Sequence, residues 1–70
     1  MALNAITIPF ELPRDEAAAL AQFVKRIGYE DCVRFASKFV FYSGRSEADT
    51  MWSAVRMVQR QFAEAGFAPR

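Results

Sequence analysis

The sequence predicts a single, mostly α-helical domain over residues 1–70: a short N-terminal β-strand followed by three α-helices packed around an aromatic core. Three observations carry that expectation. Apolar residues alternate from Ile6 to Leu12 and then recur at helical spacing. Glycines stand alone at positions 28, 44 and 66, where each can end an element. Hydrophobic residues make up 53% of the chain and include seven phenylalanines, so aromatic rings are expected to fill much of the core.

The strand comes first. Ile6, Ile8, Phe10 and Leu12 alternate with Thr7, Pro9 and Glu11, the period of a half-buried strand. Pro9 cannot donate to a ladder, which makes this a short or an edge strand. The first helix is predicted from about Pro13 to Ile27. Proline suits the first helical position, where its missing N–H has no partner in any case. Asp15 and Glu16 fall in the first turn and Lys25 and Arg26 in the last, each complementing the helix dipole. Ala17, Leu20, Val24 and Ile27 share a face, with Phe23 at its edge. Gly28 is expected to stop this helix in the left-handed conformation, letting Tyr29 fold back on Val24.

A second helix is predicted from about Glu30 to Tyr42. Tyr29, Cys32, Val33, Ala36, Phe39 and Val40 share a face. Phe35, Phe41 and Tyr42 fall outside it. Either this helix is covered on two sides, or FVFY at 39–42 leaves helical geometry for a short strand. Ser43-Gly44-Arg45 is the clearest internal break. Ser46 then caps a third helix, expected from about Glu47 to Ala65, with Asp49 three residues on. Ala48, Met51, Trp52, Val55, Val58 and Phe62 form its apolar face. Gly66 stops it, Phe67 is placed to touch the last turn near Phe62, and Pro69 prevents resumption.

Chemistry is thinly represented. The chain has one cysteine and no histidine, so an intrachain disulfide, a thiolate–imidazole zinc site and a Ser–His or Cys–His pair are all excluded. The acidic pairs Asp15/Glu16, Glu30/Asp31 and Glu47/Asp49 each fall in a predicted first helical turn, where backbone N–H groups account for them. No glycine-rich phosphate loop occurs. The expectation is therefore no catalytic residue, no metal and no cofactor. A net charge of +1 is not the footprint of a nucleic-acid binder, so direct nucleic-acid binding is the lesser expectation. No apolar run reaches the ~18 residues of a membrane span and no charged-then-apolar leader precedes the domain. A soluble, cytoplasmic protein is expected.

What remains is binding. A chain this short buries only about 60% of its unfolded surface and has no staple, so a protein partner or a second copy of the chain is expected to cover part of it. Arg34 and Lys38 lie one turn apart, as do Arg56 and Arg60. Phe41 and Tyr42 are the aromatics that one helix face cannot hide. Together with Arg45, these residues (Arg34, Lys38, Phe41, Tyr42, Arg45, Arg56 and Arg60) form the candidate partner-binding surface. Met57, on the wet face of the third helix, supports the same expectation.

Two resemblances add to this. The order strand, Leu12-Pro13, acidic residues, Leu20, Phe23, Ile27-Gly28 and a second amphipathic helix resembles ribbon-helix-helix repressors. In that family two chains pair their N-terminal strands and read the major groove, which here would use Thr7, Pro9 and Glu11. The resemblance implies a dimeric DNA-binding regulator, although no Arg or Lys occurs in residues 1–13 to read bases. The second covers about half the chain. LPRDEAAALAQFVKRIGY at 12–29 and AEAGFAPR at 63–70 look like a family of short, uncharacterised proteobacterial proteins of plasmids, integrative elements and phages. That likeness implies a mobile-element origin and, by association, an inhibitor of a host defence complex, such as an anti-CRISPR protein, acting by steric occlusion. Its partner would be a nucleoprotein defence complex.

Overall fold

A computed structural model describes residues 5–67. Three helices and one small hairpin follow in order: α1 (Arg14–Arg26), α2 (Tyr29–Phe35), β1 (Phe41–Tyr42), β2 (Arg45–Ser46) and α3 (Glu47–Glu64). α1, α2 and the hairpin each pack on α3, whereas α1 and α2 do not pack on one another. α3 is the spine because it is long and carries apolar side chains at helical spacing along its length.

The predicted N-terminal strand does not form. Residues Ala5–Pro13 lie outside any helix or strand. Period-two alternation marks a face but supplies no ladder, and a strand needs a hydrogen-bonded neighbour. The strands lie instead between α2 and α3. β1 and β2 pair antiparallel, with Phe41 opposite Ser46 and Tyr42 opposite Arg45. Ser43 and Gly44 both take positive φ, 54° and 83°, the type I′ turn that matches the twist of a two-residue hairpin. The strand alternative for FVFY thus holds for its second half.

The predicted second helix is cut short, at Phe35 rather than Tyr42. Ala36 is already extended, at ψ 151°. The Ser37 N–H donates to Glu47 Oε1 at 2.8 Å, and the Phe39 N–H to Ser37 Oγ at 3.1 Å. These bonds replace the helical ladder with a turn, a competition serine side chains commonly enter.

Gly28 does not end α1 in the left-handed region. Its φ is −114°, and it serves as the N-cap of α2, its N–H donating to Asp31 Oδ2 at 2.8 Å. The Tyr29 hydroxyl donates to Asp49 on α3. Pro13 is the cap of α1 rather than its first residue, with ψ 150°. α3 follows expectation. Ser46 Oγ accepts from the Asp49 N–H at 3.1 Å. At the other end Gly66 has φ 97°, its N–H reaching Ala63 O and the Phe67 N–H reaching Phe62 O at 2.8 Å. The Phe67 ring meets Phe62 edge-on at 6.2 Å. This is the paired-bond helix stop with its hydrophobic contact. Pro69 lies outside the described residues.

The core is not aromatic. Among the described residues the buried hydrophobics are Ala21, Val24, Cys32 and Ala48. The buried side chains are small, and the rings lie at the margins. Trp52, Phe62 and Phe67 are half-buried, while Phe10, Phe23, Phe35, Phe39 and Phe41 are exposed.

Candidate functional site

The hairpin and the turn before it concentrate exposed aromatic surface. Phe39 is 90% exposed, Phe41 62% and Tyr42 51%. Adjacent strand residues point to opposite faces, so Phe41 and Tyr42 present rings on both sides of the ribbon. Lys38 and Arg45 are the charges of segment 37–46, which contains no acid. Arg45 is oriented by donating to the Asp49 carbonyl oxygen at 3.2 Å.

Glu47 holds this segment in place. Its carboxylate accepts from the Ser37 N–H on Oε1 and from the Tyr42 hydroxyl on Oε2, at 2.8 and 3.2 Å. Its own N–H donates to Val40 O at 3.1 Å. One residue at the start of α3 therefore fixes three points of the preceding loop. The bond to Glu47, reinforced by its charge, raises the Tyr42 phenol above its ordinary 10.0. The equivalent bond to Asp49 does the same for Tyr29. Sequence reasoning missed Glu47, because an acid in a first helical turn already has an ordinary explanation. It also assigned Phe39 to a helix face.

The residues expected to form one surface divide. Lys38, Phe41, Tyr42 and Arg45 come together on and beside the hairpin. Arg34 stands apart on α2, paired with Asp31 and lying over the Phe35 ring at 5.3 Å. Arg56 lies over the Trp52 ring at 6.0 Å, and Arg60 follows one turn later. At 100° per residue these two occupy the flank of α3 opposite Met51 and Ala54.

That other flank borders a second feature. Because α1 and α2 touch α3 but not each other, an open groove of about 920 Å³ runs between them. Phe23 and Phe35 stand at its walls, and Ile27, Cys32, Met51 and Val55 line it. Arg26, and Arg34 paired with Asp31, supply its charged rim. Among the described residues no three His, Cys, Asp or Glu side chains converge as a metal site would need, and no helix is long and apolar enough to cross a membrane.

Residues 1–70 match the model of one family, described as a family of unknown function. Neither the curated proteins nor the solved structures give a match.

Proposed function

The chain belongs to the DUF7706 family, which carries no assigned activity, and we propose from its geometry that it is a non-enzymatic protein-binding module that presents the 41–46 hairpin and the turn before it to a partner. The observation that carries this reading is the set of solvent-facing rings, Phe39, Phe41 and Tyr42, on a loop tied down by Glu47. Aromatic anchors dominate interface energetics. A loop already fixed in shape loses little entropy on docking. Lys38 and Arg45 select a partner whose apolar socket has an acidic rim.

The finer reading is a cytoplasmic mobile-element protein that blocks a host defence complex, of which a CRISPR effector is the type, by occluding a working surface. The likeness of residues 12–29 and 63–70 to plasmid and phage proteins supports the context, and the unpaired Cys32 suits a reducing compartment. The test is affinity capture from the native host with the natural chain and with Phe39→Ser/Phe41→Ser. A protein retained by the first and lost by the second, at equal melting temperature, is the expected result. Equal retention by both would remove the hairpin from the interface.

A further inference from the structure

The geometry points to a homodimer in which the N-terminal arm of each chain, Ile6–Phe10, lies in the α1–α2 groove of the other. The arm holds apolar side chains with nothing beside them: Ile6 is 80% exposed, Ile8 69% and Phe10 63%. Pro9 keeps Ile8 extended and fixes its own φ, so the arm is stiffened before it docks. The same proline removes a ladder donor, which favours docking by side chains into a groove over pairing as a ribbon.

Each chain thus carries both an apolar arm and an apolar groove, and a two-fold axis satisfies both at once. Charge agrees as well. Glu11 is the one charge of the Ala5–Pro13 arm, and Arg26 rims the groove beside the Arg34–Asp31 pair.

The surface area leaves room for a cover of this size. The accessible surface is 6068 Å². A compact folded monomer of 7.9 kDa exposes about 4,400 Å². The excess, about 1,700 Å² per chain and so about 3,300 Å² over two, falls within what obligate homodimers bury, about 2,000–5,000 Å² over both chains. The radius of gyration, 13.5 Å, likewise exceeds the ~11 Å of a compact chain of this length.

The arm is not seated in its own groove. Ile6, Ile8 and Phe10 are all exposed, and no residue of 5–13 is among those that line the groove.

Light scattering on the full chain is expected to read twice 7.9 kDa. Ile6→Glu/Ile8→Glu is expected to halve that mass while the helical circular dichroism persists, since the arm lies outside every helix. A photoreactive benzoylphenylalanine at position 10, in a mixture of isotopically heavy and light chains, is expected to give heavy–light crosslinks to the 51–55 segment. A monomeric mass for the natural chain, a dimer that survives the double substitution, or crosslinks confined to single chains would each overturn the proposal. None of these readouts depends on the hairpin, so they stand or fall apart from the partner it binds.

Discussion

The Gln59 side-chain nitrogen donates to the Val24 carbonyl oxygen at 2.6 Å, joining residues 35 apart in sequence. In an uninterrupted helix that carbonyl would accept from Gly28. Here the Gly28 N–H is taken by Asp31, and Gln59 fills the vacancy from α3. The end of α1 is thus satisfied by a side chain from another helix, which is one of the few ways an orphan carbonyl can be paired.

Replacing Gln59 is therefore expected to loosen the α1–α3 contact. Gln59→Leu leaves a half-buried carbonyl without its donor, at a cost of about 1–3 kcal/mol. Gln59→Glu keeps the size but loses the donor and sets a negative charge against the negative end of the α1 dipole. Both should lower the urea midpoint, Gln59→Glu at least as much. An unchanged midpoint in both would show that the bond contributes nothing.

The hairpin turn offers a stabilising change. Ser43 holds φ 54°, a conformation that asparagine tolerates better than serine. Ser43→Asn completes the Asn-Gly pair preferred in type I′ turns, and a gain of about 0.5 kcal/mol would raise the melting temperature by roughly 2–4 °C. Gly44→Ala should do the reverse, because φ 83° is costly with a Cβ, by about 1–2 kcal/mol. Melting curves of the two variants moving in the same direction would contradict the turn assignment.

These cases show which parts of the structure were legible in the sequence. α3 was readable almost to the residue because its signals are local: Ser46 before the first turn and Gly66-Phe67 after the last. α2 was not, because what ends it is the carboxylate of Glu47, ten residues beyond Ser37. Gly28 was misread because a glycine after a helix suits either a left-handed stop or the next helix's cap, and only the bond to Asp31 decides. Gln59 had a signal that went unused, a polar residue on the stripe between Val55 and Phe62. For the site, the pattern identified aromatics in excess of what a core could hide. It could not tell that Phe41, Tyr42 and Arg45 share a hairpin while Arg56 and Arg60 share a distant helix flank, since helical spacing gives a face and not its neighbours.

Glu47 can be tested apart from global stability. Glu47→Gln keeps one acceptor oxygen but loses the charge, and Glu47→Ala loses both contacts. Amide exchange at Ser37 should quicken in the order natural, Gln, Ala, by about tenfold for each 1.4 kcal/mol of local opening. The α3 amides beyond Asp49 should change little, because Ser46 still caps the helix. Partner affinity should fall with the loosening of the loop although Glu47 itself does not face the partner. Uniform acceleration across α3 would mean that Glu47 supports the helix and not the hairpin.

The last prediction concerns alkaline pH. Tyr29 donates to Asp49 Oδ1 at 2.7 Å, and this bond is the main reason its phenol is raised above 10.0. Tyr42 is raised in the same way by Glu47. A group whose folded value lies above its unfolded one stabilises the fold fully below the unfolded value, and that stabilisation is lost as pH rises through the folded value. The tie between α2 and α3 is therefore expected to hold up to about pH 10 and to release above it. The chain has two tyrosines, so tyrosinate absorbance reports both. In the folded chain it should rise at higher pH than in urea. Asp49→Asn removes the charge that opposes ionisation and should bring one of the two titrations back toward the unfolded value. Tyr29→Phe should leave a single, still elevated titration from Tyr42. Coincident folded and unfolded curves in the natural chain would show that neither hydroxyl holds its carboxylate in solution.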